Sequence, residues 1–310
     1  ELGDGVQKWS AAEIGYRGAT VAAAIRSVDP TAKFVIPLLS FKPDWVADDI
    51  EFNKEVAAKV KNYTSGFALH TYYDNPPEGP SVTNRLRRIA ETSTLLRQQG
   101  FAAPELWITE HSRWPQGNPA GGLEWQKIWY QAADFDGLLS SADFIIGLSQ
   151  LDDVDGAMWH VLIGGGWSFL VMDNGEPVLT PLGNLFKFLQ PRLDLDALQT
   201  VTFSNMEKTG SYNYALKASA LKDRKTGETY IWMVNRSDKA LDVPIAGPSL
   251  KKNTSVSVKI RTLTEGSYEA VSKSLKASEL ETNKTLAVSD VGQAIVRIPA
   301  RAVMNIRLPK

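Results

Sequence analysis

The sequence predicts a mixed chain, α/β over its first 190 or so residues and all-β from there to its end. Three observations carry this. Short apolar runs alternate with helical periods as far as about residue 190. Helical periodicity then nearly vanishes, and short alternating segments between turn residues replace it. The chain has 310 residues, enough for one large domain or two ordinary ones.

Taken in order, Phe34 to Leu39, Gly66 to His70, Leu106 to Glu110 and Gly156 to Leu162 are short apolar runs suited to buried parallel strands. Helical patterns lie around them. One runs from Ala19 to Ser27 and stops before Asp29-Pro30. Others cover Asp44 to Asn62, Val82 to Gln99 and, in two pieces, Leu123 to Ser149. Gly100 closes the Val82 helix as a glycine just past its end. Strand and helix in alternation is the parallel α/β pattern. From Arg192 onward strands are expected at Thr200–Phe203, Tyr214–Leu221, Thr229–Val234, Val256–Thr262, Ala294–Ile298 and Val303–Leu308. Turns such as Lys225-Thr226-Gly227-Glu228 separate them, which is the signature of an antiparallel sandwich. The expected domains are therefore 1–192 and 193–310.

Composition narrows the function. With 43% hydrophobic and 22% charged residues the chain is ordinary globular protein. A net charge of -1 leaves no footprint for nucleic acid or an anionic membrane, and no apolar run approaches a membrane span. Cys is absent, which excludes disulfides, thiolate sites and a cysteine nucleophile. Three His leave little for a zinc site, so no metal or other cofactor is expected. The chain opens Glu1-Leu2-Gly3-Asp4-Gly5, without Met or a charged-then-apolar leader. Either a leader was removed or the chain was cut from something longer, and a secreted or periplasmic location is the expectation.

Chemistry in parallel α/β proteins gathers at the carboxyl ends of the strands. His70, His111 and His160, the whole histidine complement, fall at predicted strand ends. Each could equally be a hydrogen-bonded core histidine. Glu110 is the sharpest residue, because it ends an apolar strand that would bury it. A buried carboxylate without partners costs several kcal/mol, so His, Tyr or Arg donors must surround it. Two readings follow: an ion pair, for instance with Arg113, or a nucleophile or general acid/base.

Trp107-Ile108-Thr109-Glu110-His111 resembles the nucleophile strand of the clan A retaining glycoside hydrolases, where that glutamate ends the seventh strand of a (β/α)8 barrel. His70-Thr71-Tyr72 resembles the sixth strand of that family, and Ala157-Met158-Trp159-His160 the eighth. Thr180-Pro181-Leu182-Gly183-Asn184 resembles the start of its last helix. The trailing strands, with Trp232 to Ser237 and Ile298 to Val303, resemble the accessory β-domain of its arabinofuranosidase- and xylosidase-like members. The resemblance implies an incomplete TIM-type barrel, about strands 4–8, followed by a β-sandwich. It implies a retaining glycosidase acting on plant or microbial polysaccharide-derived glycosides, with Glu110 as nucleophile. His70, Tyr72, His111 and His160 would then orient it or bind sugar hydroxyls, and Trp114, Trp159 and Trp167 would stack on sugar rings.

One departure from the family stands out. Its fourth strand ends Glu-Leu-Gly-Asn-Glu, the last residue being the acid/base, whereas this chain reads Glu1-Leu2-Gly3-Asp4-Gly5. Asp4 is the best substitute by position, ahead of Glu1 and Glu13. A full barrel takes about 250 residues, and some 192 precede the sandwich. The alternative to an enzyme is a carbohydrate-binding pseudoenzyme, or a fragment whose barrel is completed by dimerisation, since open sheet edges must be covered. A plain interaction module built on the sandwich would leave the polar strand ends unexplained.

Overall fold

The structure, a computed structural model, describes residues 9–39, 47–74, 81–114, 132–163, 167–173, 175–190, 196–198, 208–209, 213–269 and 274–310. It is a mixed α/β fold with one parallel and one larger antiparallel sheet. Ser10 starts α1 (Ala11–Arg26), its hydroxyl accepting from Glu13 N while the Glu13 carboxylate accepts from Ser10 N. This reciprocal cap satisfies two backbone donors and begins the helix eight residues before the expected Ala19. α2 (Ala47–Val60) packs closely on α1, since a Cβ at Gly15 would lie 2.6 Å from Lys59 Cβ. α3 (Val82–Gln98) ends as expected, Gly100 taking a φ of 88°.

β1 (Val35–Pro37), β2 (Gly66–Tyr73), β3 (Glu105–Arg113) and β4 (Val154–Trp159) form a parallel sheet in that order. Among the described residues the sheet is open. β1 and β4 are its edges, with Val35 on β1 and Met158 on β4 exposed, as are Leu162 and Ile163 just beyond β4. The first run, expected at Phe34 to Leu39, forms the shorter β1, while the expected earliest strand at residues 1–5 and the division at 192/193 lie outside the described residues. α4 (Phe135–Leu148) corresponds to the later piece of the Leu123–Ser149 expectation; residues 123–131 lie outside the described residues. A hairpin of β5 (Leu170–Asp173) and β6 (Glu176–Leu179), unforeseen from sequence, leads into α5 (Pro181–Leu189). Thr180 caps α5, and Pro181 begins it, where a missing N–H costs nothing.

The remaining elements are strands: β7 (Asp196–Leu198), β8 (Lys208–Thr209), β9 (Asn213–Tyr214), β10 (Leu216–Lys222), β11 (Thr229–Asn235), β12 (Leu241–Ala246), β13 (Ser255–Glu269), β14 (Ser274–Ala287), β15 (Gln293–Ile298) and β16 (Ala302–Leu308). Six of them make a sheet ordered β14-β13-β16-β11-β10-β7, and β12 pairs with β15 beside it. Thr200–Phe203 lies outside the described residues, while β12 and β14 were not foreseen.

Three apolar clusters hold these layers. Phe67, Leu69, Leu106, Ile108 and Tyr73 pack under α2, α3 and α4. Met233, Val258, Ile260, Met304 and Ile306 pack against β12 and β15. Leu138, Ile146, Leu185 and Phe188 of α4 and α5 pack on Tyr230, Trp232, Val234 and Val303. The central strands β11 and β16 are thus buried on both faces, and α4 and α5 share one apolar cluster with the antiparallel sheet. No helix among the described residues is long and apolar enough to cross a membrane.

Candidate active site

Strand alternation decides which side chains meet at the carboxyl end of the parallel sheet. On β2, Phe67, Leu69 and Tyr73 face the helices, so His70 and Tyr72 face the concave side. β3 does not keep strict alternation. Its register with β2 runs Leu69 to Ile108 and then His70 to Glu110, so β3 advances two residues while β2 advances one. Such a bulge re-aims the side chains beyond it. Without it Glu110 would share the helix-facing side of Ile108. With it Glu110 joins His70, and His111 turns toward the helices. β4 slips similarly, pairing Val154 with Leu106 and then Gly156 with Trp107.

Glu110 therefore sits among donors. The Tyr72 hydroxyl donates to Glu110 Oε2 at 2.8 Å. His70 Nδ1 is 3.4 Å from the same oxygen, and His160 Nδ1 is 3.7 Å from Oε1. Those two distances are electrostatic contacts rather than good hydrogen bonds. The Glu110 side chain stays 26% exposed, so its charge is both partnered and reachable. An aromatic wall stands beside it. Tyr72 meets Trp114 edge-on at 5.0 Å and Trp167 at 5.7 Å, and the His160 ring lies 5.4 Å from Trp167. Trp167 is anchored from β3, its Nε1 donating to the Arg113 carbonyl at 2.9 Å.

Two expected site residues lie elsewhere. His111 is 1% exposed, its ring between Phe144 at 5.0 Å and Trp159 at 4.5 Å, with Tyr73 OH 3.3 Å from Nδ1. Burial pulls its pKa down to about 3, which keeps it neutral. It is a core histidine, not a sugar ligand, because the bulge turned it inward. Trp159 ends β4, directly before His160, and packs on Phe169 at 5.3 Å and on Phe186 of α5 at 5.9 Å. It supports the wall from behind by donating to the Trp167 carbonyl at 3.2 Å, and does not itself floor the concavity. Asp4 and Gly5 lie outside the described residues. Glu13, the other distant substitute, caps α1.

The structure also assigns supporting residues that the sequence reading missed. Arg85 of α3 is 5% exposed and donates to the Tyr72 carbonyl at 2.7 Å. Burial lowers its pKa to about 9. Its position on the apolar stripe Val82, Arg85, Ile89, Leu96 was a readable signal. Asp134 caps α4, accepting from Gly137 N at 2.9 Å. Burial raises its pKa to about 6 against the pull of Arg113, whose Nη1 is 3.5 Å away. Among the described residues no cluster of three or more His, Asp or Glu is arranged to hold a metal.

No protein-family model matches the chain, and neither does any curated protein sequence. Solved structures do match. An α-L-arabinofuranosidase from Thermotoga maritima, in an arabinose complex, superposes with a TM-score of 0.74 at 14% identity, over 97% of this chain and 62% of that one. The GH51 arabinofuranosidase of Xanthomonas axonopodis pv. citri gives 0.73 at 16% identity, over 97% and 63%. A wild-type GH86 protein in complex with neoagarooctaose gives 0.65 at 18% identity, over 98% and 47%. The chain thus has a glycosidase-like fold and spans between about half and two thirds of the length of these structures.

Proposed function

We propose that the chain is a retaining glycoside hydrolase in which Glu110 is the nucleophile. One observation carries this: a partly exposed carboxylate at a parallel strand end, held by the Tyr72 hydroxyl at 2.8 Å and flanked by His70 and His160. Glu110 attacks the anomeric carbon, and the leaving group departs with the bond electrons. Water then attacks the glycosyl–enzyme ester, its released proton passing through solvent to the departed leaving group, and the sugar and the Glu110 carboxylate are freed. Tyr72 holds Oε2, which leaves Oε1 as the attacking oxygen, and the departing negative charge on Glu110 is regained at the second step. Trp114 supplies an apolar ring face for stacking, backed by the buried Trp167 at 5.6 Å. The neighbours with arabinose and neoagarooctaose bound support a saccharide substrate. In this reading residues 1–192 are the catalytic domain and 193–310 the sandwich domain.

Gly5 at the family's acid/base position supports a second reading, a carbohydrate-binding pseudoenzyme; Asp4 is the substitute donor in the first. The exposed sheet edges support a form of it in which a second copy completes the barrel. A panel of aryl glycosides with dinitrophenyl leaving groups separates the readings, because such groups need no protonation. An active enzyme releases the phenol and yields glycosyl azide of retained configuration when azide is added. Gly5→Glu should then extend turnover to unactivated oligosaccharides. Oligosaccharide binding without phenol release from any panel member would instead establish the pseudoenzyme.

A further inference from the structure

The antiparallel part of the chain reaches the Tyr72 strand through a buried cation. Arg236 directly follows β11. Its Nη2 donates to Asp74 Oδ2 at 2.5 Å and its Nη1 to Asp143 Oδ2 at 2.9 Å. Asp143, on α4, also meets Lys217 Nζ from β10 at 2.5 Å. Ser140 of α4 donates to Asp74 Oδ2 at 2.7 Å, and Asp74 Oδ1 accepts from Val82 N at the start of α3 at 3.2 Å. Burial works against the Arg236 charge, but Asp74 and Asp143 outweigh it and raise its pKa.

Asp74 lies two residues beyond Tyr72 and has a φ of 56°. That conformation is uncommon for a residue with a Cβ, although Asp tolerates it better than most, and here Arg236, Ser140 and the Val82 N–H together tie the Asp74 carboxylate in place. What holds Asp74 therefore fixes how β2 ends and where the Tyr72 phenol stands. The lever is long: tilting the strand end by about 10° moves a phenol oxygen, about 6 Å from its Cα, by about 1 Å. That is enough to break the 2.8 Å bond to Glu110.

We propose that Arg236 is a positioning residue for the Glu110 site, acting from the antiparallel part through Asp74 on the aim of the Tyr72 hydroxyl. Its catalytic consequence rests on the reading of Glu110 as nucleophile; its geometric consequence does not. Lys cannot bridge two carboxylates as a guanidinium does, so Arg236→Lys loosens Asp74 while keeping the charge. Asp74→Asn, nearly isosteric, does the same from the other side and serves if Arg236→Lys does not fold.

The chain's three histidines give a readout independent of turnover, the imidazole NMR signals of His70 and His160. Tyr72→Phe should shift both. Arg236→Lys and Asp74→Asn should each reproduce at least half of that shift, and neither should add to it in the Tyr72→Phe background. On an activated aryl glycoside each single variant should lower kcat about 3- to 10-fold with KM within about twofold. Each double variant should be no slower than Tyr72→Phe. Wild-type signals for His70 and His160 in a folded Asp74→Asn protein, or additive doubles, would overturn the proposal and leave Arg236 a structural tie. Non-additive shifts with no turnover by the wild-type chain would uphold the positioning role and defeat the enzymatic reading.

Discussion

The two faces of the parallel strand ends treat ionisable groups in opposite ways. On the concave face Glu110, His70 and His160 keep 26%, 24% and 36% of their side chains exposed. There the carboxylate is met by a hydroxyl and two imidazoles. On the helix-facing side His111 is nearly sealed between aromatic rings, and burial holds it neutral. Glu110 and His111 are adjacent in the chain, so residue type and position along the strand do not separate them. The difference teaches that exposure, set by the face, decides whether an ionisable strand-end residue can serve chemistry or only packing.

The largest test of that contrast is Glu110→Gln. It should lower hydrolysis of an activated aryl glycoside by about 10⁴-fold or more, since the proposed mechanism uses the Glu110 carboxylate in every turnover. Thermal stability should barely change, because the site is partly solvated. Unchanged activity would mean that another carboxylate does the work.

Next in size is the acid response of the buried face. His111 has a folded pKa of about 3 against an unfolded value of about 6.5. Between these values the unfolded chain binds the extra proton, so stability is present above about pH 6.5 and is lost as pH falls toward 3. The loss should be on the order of 4 kcal/mol. Denaturant midpoints measured from pH 7 to 3 for the wild type and His111→Phe check this; the variant should show a much flatter decline. Sugar binding should survive that substitution, and its loss would return His111 to the site.

A smaller effect is expected from Tyr72→Phe. Losing a hydrogen bond to an ionised group costs about 1.5 kcal/mol, or about tenfold in rate, with KM little changed. Steady-state kinetics on the same glycoside would show it, and an unchanged kcat would separate Tyr72 from the chemistry.

The smallest effect has the opposite sign. Asp134 has a folded pKa of about 6, above the ordinary carboxylate value, because it is buried. Its folded form therefore holds a proton that the unfolded chain has released, and this contribution declines as pH rises from about 4 through 6. Asp134→Asn keeps an acceptor for Gly137 N and removes the buried charge. It should stabilise the protein above pH 6 by about 1 kcal/mol, read from chemical denaturation, and do little below pH 4.

The sequence by itself determined much of the succession of elements, though not the β5–β6 hairpin, β12 or β14. Apolar runs such as Leu106 to Glu110, the Gly100 stop and the Thr180-Pro181 start are local signals, and β3, α3 and α5 form where those signals lie. It also brought Glu110, His70, Tyr72 and His160 into view, since strand-end placement needs only strand boundaries. Three things were decided by tertiary structure. The register slip on β3 exists only against β2 and β4, and it inverted the faces of Glu110 and His111. The burial of Arg85 depends on what α3 packs against, beyond its place on the stripe. The Asp74–Arg236 pairing joins residues 162 positions apart, a separation over which no local pattern carries information. Periodicity records the preferences of one segment, whereas facing, burial and long-range charge pairing are properties of two segments at once. A single chain read in order contains them only after it has folded.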